Sequence, residues 1–157
     1  MNNHDLIKLL HNADACKPAM LKARGLSIEG LLKLYIDNID FTLTHPMLGA
    51  SFLRSHATES QLNSAGIYIN STGIIKTGEV AVFINSNVRI LKSGYEVSRI
   101  YLLNSNLTMD ATEQSISVVD LYGISRAIIH NHSATASVNV NPGSTVETVG
   151  YVRINRK

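Results

Sequence analysis

The chain has 157 residues, enough for one ordinary domain or for a small domain with an appendage. Hydrophobic residues make up 45% of the sequence and charged residues 17%, a balance that favours a folded chain over a disordered one. The formal net charge is +2, and the 14 basic residues are scattered. Nucleic acids and acidic membranes usually require a concentrated basic face, so neither is an expected partner.

Cysteine content and hydropathy indicate a soluble product of the cytoplasm. Cys16 is the single cysteine, so no internal disulfide is possible and a reducing compartment is expected. The first residues lack the basic and apolar regions of a signal peptide. No apolar run approaches the roughly 20 residues that a membrane helix requires. No phosphate-binding glycine loop is present, and we expect no cofactor.

Residues 1–60 are predicted to form a short helical docking segment. Asn3 can cap a first helix, and a second one is expected over residues 19–24. Ser27 can cap the longest helix, which His45-Pro46 ends. A final turn or two is expected over residues 47–54. The longest helix has apolar residues at three- and four-residue spacing, namely Ile28, Leu31, Leu32, Tyr35, Ile36, Ile39 and Leu43.

Residues 61–157 have a different composition, rich in β-branched residues, Asn, Ser and Gly. Alternating apolar residues with a period near two predict short strands there. The expected strands cover residues 67–70, 80–84, 88–91, 99–103, 115–121, 126–129, 136–140 and 145–154.

These strands enter similar corners. An apolar residue followed by Asn-Ser occurs at Asn70, Asn85 and Asn104, with weaker equivalents at Gly123 and Asn141. The steps between these five positions are 15, 19, 19 and 18 residues, which indicates a repeat architecture. Asn and Gly tolerate the left-handed backbone that a corner requires, and stacked corners let Asn side chains hydrogen-bond to each other. The sequence therefore predicts an α+β protein, a helical segment followed by a β-solenoid-like stack of short strands.

The same sequence leaves two alternatives open. Ordinary hairpins with Asn-Ser turns predict a β-sandwich or barrel instead. A six-residue spacing of mostly apolar residues resembles left-handed hexapeptide helices, although the small residue expected beside each position is irregular, so the hand of the solenoid stays open. This spacing runs through Ile116, Tyr122, Ile128, Ala134, Val140, Val146 and Val152.

His130 and His132 are the candidate metal ligands. Residues two apart in a strand point to the same face, so the two imidazoles can share a metal ion. A solvated polar corner explains the same pair without a metal, and no carboxylate or cysteine lies nearby in sequence. Either histidine is also a candidate general base for a hexapeptide-type acyltransferase. Cys16 has no patterned His or Asn partner, so we expect no catalytic residue.

A helical docking segment followed by an Asn- and Ser-rich β-coil region resembles the small structural proteins of tailed-phage virions. Head-fibre, capsid-decorating and tail-adaptor proteins are the types it is most similar to. The resemblance implies a non-enzymatic virion protein, made in the host cytoplasm, that forms a dimer or trimer and attaches to other virion proteins through its N-terminal part.

The expected contacts follow from this interpretation. A helix in a groove uses residues at helical spacing, so we expect docking through Leu31, Tyr35, Ile39 and Phe41. Self-association is expected on solenoid faces around Phe83, Tyr101 and Tyr122. The alternative function is a small binding or inhibitor protein, and the third is the hexapeptide-type acyltransferase.

Overall fold

The computed structural model describes residues 11–12, 21–23 and 25–157. The chain divides into two compact units, residues 1–65 and residues 66–157. The composition places this change a few residues earlier, between residues 60 and 61. Cys16, the helix expected at Asn3 and part of the helix expected over residues 19–24 lie outside the described residues.

Ser27 begins a helix, as its sequence position predicts. Its hydroxyl oxygen accepts an amide hydrogen bond at 3.2 Å, and helix α1 covers Ile28–Asp37. The prediction of one helix that continues to the following proline is wrong, because Asn38 leaves the helical region and α2 begins after it (Ile39–Thr44). The Asn38 side chain donates to the carbonyl of Leu34 at 2.9 Å, a local bond that competes with helix continuation.

Three further short segments follow in the described part of the first unit. A 3₁₀ turn over Pro46–Leu48 precedes α3 (Ala50–His56), where the sequence predicts a turn or two. Helix α4 (Glu59–Ser64) is not predicted, although its capping box is visible in the sequence. Thr58 Oγ1 accepts from the amide of Gln61 at 3.3 Å, and Gln61 Oε1 accepts from the amide of Thr58 at 2.9 Å.

The second unit is a stack of parallel strands. Odd-numbered strands form a first sheet in the order β1-β3-β5-β7-β9-β11, and even-numbered strands form a second sheet in the order β2-β4-β6-β8-β10. One strand of each sheet makes one coil, which confirms the expected β-solenoid and excludes a sandwich of antiparallel hairpins. The strands are β1 (Ile67–Ile69), β2 (Thr72–Ile74), β3 (Val80–Ile84), β4 (Asn87–Lys92), β5 (Val97–Leu103), β6 (Asn106–Thr112), β7 (Ile116–Tyr122), β8 (Arg126–His132), β9 (Thr135–Val140), β10 (Thr145–Val149) and β11 (Arg153–Arg156).

The coil length matches the repeat seen in the sequence. Paired residues in successive strands of the first sheet are 15, 19, 19, 19 and 16 positions apart. Each coil has two strands, so the six-residue spacing that starts at Ile116 is not the structural repeat.

Three predicted strand assignments need correction. Strands β2 and β6 are missing from the prediction, and the single strand expected over residues 145–154 is two strands. Gly150 separates these two with a φ of 80°, a conformation that ends regular pairing. The inward positions of β6 include Met109 and Ala111, and Asp110 lies between them. Asp and Ala are depleted in strands, which explains why β6 was not recognised.

The first corner of each coil uses a left-handed residue. Asn70, Asn85, Asn104 and Gly123 have φ angles of 54°, 52°, 50° and 61°, as their shared sequence pattern predicts. The next corner differs from the prediction. Its left-handed residue is Gly143, whereas the sequence pattern predicts Asn141.

Serine side chains, rather than the expected asparagine ladder, connect successive corners. The amide of Ser71 donates to the hydroxyl of Ser86 at 3.0 Å, and Ser86 repeats this bond to Ser105 at 3.0 Å. Ser105 donates to Ser125 at 3.2 Å, and Ser125 donates to Ser144 at 3.4 Å. This serine ladder satisfies a backbone donor at four successive first corners, where the strand pairing is interrupted.

The core lies between the two sheets and runs through all central coils. Its side chains come from alternate positions of each strand, so like positions stack on one another along the coils. The fully or nearly buried members are Ala81, Phe83, Val88, Ile90, Ile100, Leu102, Leu107, Met109, Ala111, Val119, Leu121, Ala127, Ile129, Val138 and Val140.

Candidate functional site

The outer face of the second sheet carries a charged cluster at its centre. Strands β4, β6 and β8 place apolar side chains in the core and the intervening residues on the opposite face. Asp110 on β6 pairs in register with His130 on β8. Arg89 lies on β4, the other neighbour of β6. The coil winding therefore gathers three residues that are far apart in sequence.

Asp110 binds both neighbours with different oxygens. Arg89 donates to Asp110 Oδ2 from Nε at 3.0 Å and from Nη2 at 2.8 Å. His130 Nδ1 lies 3.1 Å from Oδ1 of the same carboxylate. The Asp110 carboxyl is only partly accessible, whereas Arg89 extends into solvent. We call these three residues the Arg89–Asp110–His130 cluster.

Charge and hydrogen bonding keep Asp110 ionised. The hydrogen bonds from Arg89 lower the pKa of the Asp110 carboxyl most, partial burial raises it by a smaller amount, and the contact with His130 lowers it further. An ionised carboxylate only accepts hydrogen bonds, so the proton between Asp110 and His130 belongs to Nδ1 of the imidazole. The other ring nitrogen, Nε2, is then the unprotonated one when the imidazole is neutral.

His132 lies on the same outer face as His130, as the strand spacing predicts. It is exposed at the end of β8, and within the part of the chain that the structure describes it has neither an ion pair nor a hydrogen bond. Metal binding by the pair stays a prediction. Among the described residues, no three or more His, Cys, Asp or Glu side chains form a group that could hold a metal ion.

Sequence reasoning missed Asp110 and Arg89. The only signal was the coil length: Asp110 precedes His130 by 20 residues, which is the register step between β6 and β8. Strand β6 was itself not predicted, so this step was not available from the strand assignments.

A second polar network lies on the first sheet. Arg99 Nε donates to Asp120 Oδ2 at 3.2 Å, and Asn139 donates to Asp120 Oδ1 at 2.7 Å. Asn155 continues the series by donating to Asn139 at 2.9 Å. Asp120 is buried, so these bonds satisfy a charge that would otherwise be costly there. The network links four consecutive odd-numbered strands.

The residues expected to mediate self-association lie on both faces of the first sheet. Phe83 is fully buried in the solenoid core, where its ring stacks on Tyr68 with centroids 5.0 Å apart. Tyr101 and Tyr122 occupy outward positions of β5 and β7 and are also buried, and the guanidinium of Arg99 lies 5.1 Å from the Tyr101 ring. The Phe83 side chain therefore has a core-packing role.

The residues expected to dock lie in α1 and α2. Tyr35 and Ile39 are buried, whereas Leu31 and Phe41 are partly exposed. Burial raises the pKa of the Tyr35 hydroxyl to about 12. The Phe41 ring packs on His45, with centroids 4.0 Å apart. Docking through these four residues stays a prediction, and the first unit also exposes Leu21, Leu26 and Met47.

An exposed apolar strip lies at the N-terminal ends of β5 and β7, the two central strands of the first sheet. Val97 and Ile116 are paired neighbours on β5 and β7 and are 59% and 44% exposed. Tyr95, in the turn before β5, is 82% exposed. We call these three residues the Val97–Ile116 strip. The sequence does not predict this strip, because alternation alone does not show whether Val97 and Ile116 face the core or the solvent.

Comparison with known proteins adds no relationship to these observations. None of the helices that the structure describes combines the length and the apolar character needed to cross a membrane. No protein-family model, no curated protein and no solved structure matches the chain.

Proposed function

We propose that this chain is a non-enzymatic structural protein of a virion. The helical unit docks on other virion proteins, and the solenoid associates with further copies of the chain as a dimer or trimer. The observation that carries the proposal is the Val97–Ile116 strip, an apolar surface on a rigid support.

The support is rigid because each coil is bonded to the next one in three ways. Parallel strand pairing runs through both sheets, the serine ladder bonds the first corners, and the apolar core is continuous along the stack. A surface on such a stack keeps its shape when it binds, so little conformational entropy is lost on association. This suits a protein that presents a fixed surface within a larger assembly.

The strip gives self-association a driving force. Burying apolar surface contributes roughly 25 cal/mol per Å² removed from water. Val97 and Ile116 lie directly beside each other on adjacent strands, so one flat partner surface can cover both. A second copy of the chain presents the same strip, and symmetric self-association is the commonest way in which soluble proteins cover such a patch.

The first test measures the mass of the purified full chain by light scattering and sedimentation. The wild-type protein should form a dimer or trimer, and Val97→Lys combined with Ile116→Lys should shift it to the monomer. Ile124→Lys is the matched control, because Ile124 is 83% exposed but lies in the corner between β7 and β8 rather than in the strip. A strict monomer at high concentration contradicts the proposal and favours a small binding or inhibitor protein.

The second test addresses the virion itself. Phage particles purified from a producing culture should contain this chain at a fixed ratio to the major capsid or tail protein, measured by quantitative mass spectrometry. Its absence from purified particles, with abundant protein in the lysate, contradicts the virion assignment even if the chain oligomerises.

A further inference from the structure

We propose that His130 and His132 bind one divalent first-row transition-metal ion on the outer face of the second sheet. Asp110 orients the His130 ring through the hydrogen bond from Nδ1. The ion would be Zn²⁺, Ni²⁺ or Cu²⁺, held by two imidazole nitrogens and completed by water. This site is independent of the proposed self-association, since both ligands come from one chain.

Strand β8 places the two imidazoles near each other in sequence and on one surface. His130 and His132 are separated by one residue, Asn131, whose side chain lies on the inner face and bonds to the carbonyl of Ala134 at 3.0 Å. The two histidines therefore share the outer face of β8. The His130 side chain is 36% exposed and His132 is exposed, so an ion reaches both from solvent.

His130 is oriented by its contact with Asp110. Its Nδ1 lies 3.1 Å from Asp110 Oδ1, so this nitrogen carries the proton and Nε2 presents its lone pair away from Asp110. Histidines that bind metals almost always donate their other ring N–H to a carboxylate or carbonyl in this way. The carboxylate fixes the ring and makes the imidazole a better ligand.

Arg89 occupies the other oxygen of the Asp110 carboxylate. Its two hydrogen bonds hold Asp110 Oδ2 at 3.0 Å and 2.8 Å, so both oxygens of the carboxylate are already engaged. Asp110 is thereby kept in the outer shell rather than acting as a ligand. A site with two neutral imidazoles and water suits Zn²⁺, Ni²⁺ and Cu²⁺ and discriminates against Mg²⁺ and Ca²⁺, which prefer several oxygen ligands.

Two other histidines provide internal comparisons. His45 Nδ1 lies 2.6 Å from the carbonyl of Phe41, and His56 Nδ1 lies 2.7 Å from the carbonyl of Phe52. Each ring is therefore oriented much as His130 is, but no second histidine lies two residues away. If a single oriented imidazole were sufficient, His56 would also bind the ion, and replacing His56 would then reduce metal binding.

The experiment is calorimetric titration of the metal-stripped full chain with Zn²⁺ and with Ni²⁺ at pH 7.5. The expected result is one equivalent bound, with affinity reduced at least tenfold in His130→Ala and in His132→Ala and unchanged in His56→Ala. Asp110→Asn should keep one equivalent but weaken binding by roughly 10- to 100-fold, the range found for outer-shell partners. Circular dichroism of each variant checks that the solenoid is folded.

A second readout separates orientation from general structural support. Nitrogen-15 NMR of the metal-free protein should show His130 as the Nδ1–H tautomer in the wild type and a mixture in Asp110→Asn. The proposal is overturned if neither ion binds, or if the His130→Ala, His132→Ala double variant binds as the wild type does. It is also overturned if His130 is the Nε2–H tautomer.

Discussion

The amide of Ser86 donates to the hydroxyl of Ser105 across 3.0 Å, although the two residues are 19 positions apart. The Ser105 hydroxyl in turn donates to backbone carbonyls, at 2.9 Å to Leu103 and at 3.0 Å to Phe83. One side chain therefore satisfies backbone groups of two coils at a buried corner. The other corners of the serine ladder repeat the first of these bonds.

Replacing Ser105 by alanine should destabilise the protein by about 1–3 kcal/mol, because the buried amide of Ser86 loses its acceptor. Urea unfolding followed by circular dichroism measures the change. Ser93→Ala is the control, since Ser93 is exposed at the second corner and its hydroxyl makes no such bond in the described structure. Equal stability of the two variants would show that water replaces the Ser105 hydroxyl.

Gly123→Ala should destabilise the stack by about 1–2 kcal/mol or more. Gly123 has a φ of 61°, which costs a residue with a Cβ roughly this amount. A Cβ at this position also meets Oδ1 of Asn104, which accepts the Ile124 amide at 3.0 Å. Thermal and urea unfolding measure the loss.

Gly78→Ala is the matched control for that substitution. Gly78 does not have a positive φ, and an added Cβ there has no heavy atom within 4 Å. This variant should keep wild-type stability or gain slightly from the smaller entropy of its unfolded chain. If Gly123→Ala behaves like Gly78→Ala, the corner at Gly123 tolerates a side chain, and the shared left-handed conformation is not what selects Asn and Gly at these corners.

The corners were predictable from sequence because their cause is local. Asn70, Asn85 and Asn104 mark left-handed residues, and a left-handed backbone selects Asn or Gly wherever it occurs. The repeat spacing then gave the coil and the fold class. Local patterns also identified Ser27 as a helix cap but not the break at Asn38, where a side-chain hydrogen bond competes with the helix.

The charged cluster was not predictable in the same way. The contact between Asp110 and His130 depends on a coil of 20 residues, one longer than the Asn104–Gly123 step in the sequence repeat. The extra residue lies in the corner at Gly123. Assuming a 19-residue coil there would shift the register of the strand by one position and place every side chain on the wrong face.

Asp110 should make the stability of the protein depend on acid pH. Its carboxyl has a folded pKa below the ordinary value of 3.8, so the unfolded chain binds a proton more readily than the folded chain. The stabilisation is complete above pH 3.8 and is lost as the pH falls through the lower, folded pKa. Asp110→Asn should be less stable than the wild type at pH 6, and the difference should shrink towards pH 2.

Denaturant unfolding at several pH values tests this dependence. Asp37→Asn is a suitable control, because Asp37 forms an exposed i,i+4 ion pair with Lys33 at 3.1 Å and such pairs contribute little. A stability difference between wild type and Asp110→Asn that is constant with pH would show that the carboxylate charge is not what holds the Arg89–Asp110–His130 cluster.

Lys92 should also make stability rise with pH, but in the alkaline range. Its side chain is buried at the end of β4, where Nζ donates to the carbonyl of Thr77 at 3.3 Å. Burial lowers the pKa of the Lys92 amine below its ordinary value of 10.5, although Glu96 opposes the shift. Between the two pKa values the unfolded chain binds more protons, so stability should rise with pH until it levels off near 10.5.

Lys92→Met keeps the length of the side chain and removes the titrating group. This variant should lack the rise in stability with pH that Lys92 produces in the wild type, and it should equal or exceed the wild type at pH 7, since no charge is then buried. Urea unfolding between pH 7 and pH 10.5 measures both curves. Parallel curves for the two proteins would mean that the Lys92 amine has the same pKa in the folded and unfolded chains. A large loss of stability in Lys92→Met at pH 7 would mean that its bond to Thr77 outweighs the cost of burying the amine.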